Sequence, residues 1–129
     1  MGKSPFTYDA TEKLKSRKVL QALFATGKSF QVFPLKIFYM PVTEQAVTGI
    51  RAGVGVSARN FRKAVDRNRI KRLLREVYRL HKGDLQISLQ EKNRQVAVFF
   101  LYLGKELPEY ALLEEKMKNA LHKLAKQLA

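Results

Sequence analysis

The chain has 129 residues, 46% of them hydrophobic, with no cysteine and with 25 Lys and Arg against 11 Asp and Glu, a formal net charge of +14. That length supports one core, and that apolar fraction argues against disorder. The lack of cysteine excludes disulfides, thiolate zinc sites and cysteine nucleophiles, so a cytoplasmic protein is the simplest fit.

No apolar run approaches the roughly 20 residues that a membrane helix needs. The start, Met1-Gly2-Lys3-Ser4-Pro5-Phe6, has neither the apolar core of a secretory signal nor the hydroxyl residue of a myristoylation motif. The positive excess calls for an anionic partner. Nucleic acid fits better than a membrane surface, because the most basic stretch lacks the bulky insertion face of an interfacial helix.

In chain order, residues 1–15 read as an extended arm tied down at Phe6 and Tyr8. Ser16 as N-cap and Gly27 as the terminating glycine bracket a predicted helix over 17–26, with Val19, Leu20, Leu23 and Phe24 at helical spacing. Asp9 or Thr11 could cap an earlier start. Phe33–Val42 is predicted as a strand, with Leu35, Ile37 and Tyr39 on one face and Lys36, Phe38 and Met40 on the other. Pro34 belongs at its start or at an edge, because it cannot donate to the ladder. A polar turn over 43–49 leads to a second strand, Ile50–Ser57. Ala52, Val54 and Val56 share one face of it, and Gly53 and Gly55 leave the other almost bare. Either that strand is flexible or something approaches its backbone closely.

The stretch 59–82 carries ten of the basic residues and two of the acids, a net +8 in 24 residues. Loop 58–63 leads into it. At about 3.6 residues per turn, Ile70, Leu73, Leu74, Val77, Leu80 and His81 gather on one side. Arg67, Asn68, Lys71, Arg72, Arg75, Arg79 and Lys82 gather on the other. Like charges at i, i+4 (Arg67, Lys71, Arg75, Arg79) each cost an isolated helix about 0.2–0.5 kcal/mol, a repulsion that an anionic partner would relieve. Gly83 is predicted to end this helix. Leu85, Ile87 and Leu89 at period two make 84–94 a short ribbon or an irregular loop. Gln95–Leu103, apolar on both faces, reads as an interior strand. A last helix over 109–127 carries the stripe Leu113, Met117, Leu121, Leu124 and Leu128. This order of elements is α+β in one domain, and the strands on either side of the basic helix are parallel if they are neighbours.

A protein active site is hard to find. The two histidines, His81 and His122, have no nearby carboxylate cluster in sequence, Glu114 and Glu115 read as solvated surface, and Gly53-Val54-Gly55 lacks the rest of a phosphate loop. No catalytic residue, metal site or dedicated cofactor site is predicted. A helix-turn-helix DNA reader is disfavoured because strands, not a partner helix, bracket the basic helix. A ribosomal or assembly protein that uses the same helix is the alternative reading.

Arg67-Asn68-Arg69-Ile70-Lys71-Arg72-Leu73-Leu74-Arg75-Glu76 resembles the signature of the bacterial ribonuclease P protein subunit. Val54-Gly55-Val56-Ser57 with the basic loop and Lys63-Ala64-Val65, and Leu14-Lys15-Ser16 with Phe24-Ala25-Thr26-Gly27, are similar to the same family. The similarity runs over about residues 13–128. It implies an α+β domain, a four-stranded mixed sheet packed with three helices, like the second domain of ribosomal protein S5, with a left-handed crossover through the basic helix. It implies a monomeric accessory subunit in a 1:1 ribonucleoprotein with the ribonuclease P RNA, which removes the 5′ leader of precursor tRNA. The RNA would carry the hydrolysis and the Mg2+. Arg59, Arg62, Lys63, Arg67, Asn68, Arg69, Lys71, Arg72, Arg75 and Arg79 would face the catalytic RNA. Phe24 and Phe38, with Leu20, Lys36, Val54 and Val56 as walls, would hold the single-stranded leader. Two departures stand out: Leu20 replaces an aromatic found in many members, and Ala58-Arg59 replaces a common Lys-Lys pair.

Overall fold

A computed structural model describes residues 17–42 and 49–128. The predicted arm with Phe6 and Tyr8, the caps Asp9, Thr11 and Ser16, and the polar turn over 43–48 lie outside the described residues.

Helix α1 (Arg17–Thr26) ends as its glycine requires. The Gly27 amide donates to the Leu23 carbonyl at 3.0 Å, and a Cβ at Gly27 would lie 2.4 Å from that oxygen. Strand β1 (Lys28–Val32) follows at once and turns through Phe33 and Pro34 into β2 (Leu35–Val42), with Val32 opposite Leu35. The sequence placed the strand start at Phe33 and saw no strand before it. Phe33 belongs instead to a two-residue turn, and β1 is a short edge strand whose alternation over Phe30 and Val32 is weak. β3 (Gly49–Val56) leads to the basic helix α2 (Ala64–His81).

α2 ends just before Gly83, as predicted, but no loop follows it. Lys82 stays right-handed, its amide bonded to the Tyr78 carbonyl, and α3 (Gly83–Glu91) begins directly. The expected ribbon or loop over 84–94 is therefore corrected to a fourth helix. Leu85 and Leu89, four residues apart, are both buried, whereas Ile87 between them is exposed, so the helical spacing decides. The Gln86 side chain accepts the Ile50 amide at 2.7 Å, which ties α3 to β3. β4 (Gln95–Tyr102) and α4 (Tyr110–Leu128) complete the chain.

The sheet order is β1-β2-β4-β3, with β3 and β4 parallel and the other pairs antiparallel. β4, apolar throughout, lies inside the sheet as its composition predicts. Leu35, Ile37, Tyr39, Ile50, Ala52, Val96, Val98 and Phe100 face the main core, with Ile70, Leu74, Val77 and Tyr78 of α2 and the whole leucine stripe of α4. Burying each such side chain stabilises by about 1.5–3 kcal/mol. On the other face, among the described elements, α1 lies over the sheet. Val19, Leu20 and Leu23 pack there with Phe38, Met40, Ala97 and Phe99.

Candidate nucleic-acid interface

Two surfaces carry the sequence-predicted residues, one on each side of the sheet. The first is the loop after β3 with helix α2. The loop is built, not slack. Phe61 is buried beside Tyr102, ring centroids 6.1 Å apart. The Asn60 amide donates to the carbonyls of Leu103 and Gly104 at 3.1 and 3.3 Å, and the backbone amides of Asn60 and Phe61 both donate to the Ser57 carbonyl. The Arg67 guanidinium reaches back to donate to the carbonyls of Phe61 and Arg62, both at 2.8 Å. With its backbone held this way, the loop presents Arg59, Arg62 and Lys63 outward and exposed.

Along α2 the predicted cationic face divides. Asn68, Arg69, Arg72 and Arg75 are exposed or half-exposed and Lys71 is half-buried. Arg67 is spent largely on the loop. Arg79 is bonded to Glu76 at 2.6 Å, and that bond raises the Arg79 pKa further above the ordinary guanidinium value. The Arg75–Arg79 repulsion counted along the helix is thereby partly offset inside the protein by Glu76. Lys82 does not belong to the charged face. It is 1% exposed, with Nζ 5.9 Å from the Tyr78 ring centroid. Tyr78 itself, fully buried, extends the apolar face beyond the residues read from the helical pattern.

The second surface is the groove beside α1. Phe24 is 50% exposed, and its ring meets Phe38 at 5.1 Å and Phe99 at 5.2 Å, both edge-on. Lys36 Nζ lies 5.1 Å from the Phe38 ring centroid, and Leu20 packs in the same cluster. Four of the predicted groove residues, Leu20, Phe24, Lys36 and Phe38, are thus brought together. Val54 and Val56 are not, and their placement is corrected. In the ladder Phe38 pairs with Phe99 and Phe99 with Gly53, so these point one way. Val54 pairs with Phe100 and Val56 with Tyr102, so both valines point into the main core, where they pack.

The groove side of β3 is the bare glycine face, and Phe99 is what approaches it. A Cβ at Gly55 would lie 2.5 Å from the end of the Phe99 ring. Phe99 and Arg51 are the groove-side residues that sequence reasoning does not single out. The period-two pairing of the Gly face with alternate β4 residues is the signal that could have found them.

Both histidines lie near the other end of α2. His81 Nε2 lies 3.0 Å from Glu114 Oε2, so Glu114 is not plain solvated surface. His81 and His122 line one cavity of about 290 Å³ together with Asp84 and Lys118. Among the described residues no three His, Cys, Asp or Glu side chains come together in a way that could hold a metal ion. No described helix is long and apolar enough to cross a membrane.

Comparison with known proteins bears on these surfaces. The sequence profile described as Ribonuclease P matches residues 8–125. The chain is 37% identical over 120 residues to the ribonuclease P protein component of Porphyromonas gingivalis, covering 93% of this chain and 88% of the relative. It is 32% identical over 124 residues to that of Chlorobium phaeobacteroides, covering 88% and 84%. Its fold is similar to that of the RNase P protein from Thermotoga maritima, with TM-score 0.68 at 24% identity over 87% of this chain and 96% of that one. The RNase P protein of Staphylococcus aureus is similar at TM-score 0.64 and 21% identity, over 89% and 95%.

Proposed function

Because the chain belongs to the ribonuclease P protein family, we propose that it is the protein subunit of a ribonuclease P ribonucleoprotein, acting in removal of the 5′ leader from precursor tRNA in the cytoplasm. The basic loop and α2 bind the catalytic RNA through Arg59, Arg62, Lys63, Asn68, Arg69, Lys71, Arg72 and Arg75. Arg67 serves mainly to shape the loop, and Arg79, bonded to Glu76, contributes less. Phosphate contacts of this kind supply affinity and make it salt-dependent.

The observation that carries the reading is the pairing of a held basic loop and helix on one side with a half-exposed aromatic groove on the other. Phe24 and Phe38, flanked by Phe99, Leu20 and Lys36, are suited to grip unpaired bases without a strict sequence demand. The leader of a precursor is such a strand, and mature tRNA lacks it. One protein can therefore hold the RNA partner on one surface and discriminate substrate from product on the other. Phosphodiester hydrolysis and the Mg2+ it needs are assigned to the RNA. Among the described residues the acidic side chains are dispersed, which is in keeping with that assignment. The subunit acts as a monomer in a 1:1 complex.

The test is competitive binding by the reconstituted complex of precursor tRNA and mature tRNA. Tighter binding of the precursor, reduced by Phe24→Ala, supports the proposal. Equal binding of the two by wild-type complex overturns the leader-holding role.

A further inference from the structure

Phe33 is 66% exposed, yet it stands on an anchored turn. The turn is only two residues long, between paired Val32 and Leu35, and Pro34 beside it is buried. The Pro34 carbonyl accepts the Leu103 amide at 2.8 Å. Leu103 and Gly104 in turn accept the Asn60 side chain from the basic loop. Three hydrogen bonds therefore link the Phe33 turn to the segment after β4 and to the loop that bears Arg59, Arg62 and Lys63. Arg59 directly precedes Asn60, and Lys105 directly follows Gly104. Both are exposed.

A single exposed aromatic is ordinary on a protein surface. This one differs in its setting. Its backbone is fixed at the end of the sheet where β3 and β4 finish, the same end from which α2 departs, and exposed cations flank the hydrogen-bonded chain that fixes it. An exposed aromatic on an anchored turn, at the same end of the sheet as the basic loop, fits an unpaired nucleotide, with its base on the ring and the neighbouring phosphates reaching the cations of the loop. It does not fit a duplex, whose bases are stacked on one another, and the positive charge of the neighbouring loop opposes a basic protein partner.

We infer that Phe33 is a stacking platform for an unpaired base of the RNA bound by the basic loop, separate from the Phe24 groove. The inference rests on the proposed function for the identity of that RNA. It adds a binding residue on the turn between β1 and β2, outside both the signature helix and the groove.

The test compares wild-type protein with Phe33→Ala, Phe33→Leu and Phe33→Tyr in binding to a bacterial ribonuclease P RNA at fixed salt, with circular dichroism as the check on folding. Leucine keeps apolar bulk without a π face, and tyrosine keeps the face. The expected result is a loss of roughly fivefold to a hundredfold in affinity for the Ala and Leu variants and near wild-type affinity for Tyr. The slope of affinity against salt should be unchanged, because every phosphate keeps its cation. Wild-type affinity in a folded Phe33→Leu overturns the platform while leaving the proposed function standing. A wild-type protein that does not bind this RNA overturns the proposed function and the platform with it.

Discussion

Phe24 meets Phe38 edge-on, ring centroids 5.1 Å apart and planes at 87°, with half of Phe24 open to solvent. An aromatic needed only for packing would gain by full burial. The half-open ring leaves a face for a base. Phe24→Ala is therefore expected to weaken binding of precursor tRNA to the reconstituted complex by about 1–3 kcal/mol per stacked base while leaving mature tRNA binding unchanged. Equal losses for both ligands would place the effect elsewhere.

The cations of α2 divide into two kinds, and mutation should separate them. Arg72 and Arg75 extend from the helix without a role in shaping the loop, so changing both to Ala should lower RNA affinity and flatten its salt dependence. Each phosphate left without its cation should reduce the log–log slope by about 0.7–0.9. Stability should hardly change.

Arg67→Ala should behave differently. Removing its bonds to the Phe61 and Arg62 carbonyls should destabilise the fold by about 1–3 kcal/mol and expose loop 58–63 to proteolysis. Thermal unfolding and limited digestion, set beside the Arg72/Arg75 double variant, check the distinction. A Tm and digestion rate equal to wild type would return Arg67 to the RNA-contacting set.

Gly55→Ala tests why β3 has a bare face. The new methyl would overlap the Phe99 ring, and Phe99 is braced by Phe24. Overpacking of this kind typically costs about 1–3 kcal/mol. The ring must swing into the groove, so precursor affinity should fall along with stability. Unaltered Tm and unaltered precursor binding would contradict the close approach.

Glu114 supplies a pH signature. Its bond to His81 holds its carboxyl below the ordinary value, with charge from His81 and Lys118 and a hydrogen bond from Tyr110 acting in the same direction and partial desolvation opposing. A depressed carboxyl pKa contributes stability that is fully present above the unfolded value and is lost as pH falls through the folded one. Wild type should thus have a higher Tm than Glu114→Gln near neutral pH, and the gap should close in acid. A gap independent of pH would remove the carboxylate's part in joining α2 to α4.

Much of this was legible in the sequence because single periods governed it. The stripe Leu113, Met117, Leu121, Leu124 and Leu128 and the uninterrupted apolar run of β4 each have one reading, and both hold. The signature helix was legible as a basic rod, but the pattern could not reveal that Arg67 turns back to the loop or that Lys82 is buried. Those outcomes depend on carbonyls and rings brought in from other segments. Leu85, Ile87 and Leu89 fit period two as well as Leu85 and Leu89 fit period four, and packing against the edge strand β3 chose the helix. Val54 and Val56 were assigned to the groove by the family resemblance, and the strand pattern alone could not correct it. Strand parity says which residues share a face, while only the pairing of β3 with β4 says which face α1 covers.

The central claim is that this protein assists an RNA that carries the chemistry. Its most direct test is the rate of 5′ leader removal from precursor tRNA by a bacterial ribonuclease P RNA at low Mg2+, with and without the purified chain. The account predicts a marked rise in cleavage on adding the protein, and no cleavage by the protein alone. An unchanged rate, or cleavage by the protein without RNA, would contradict it.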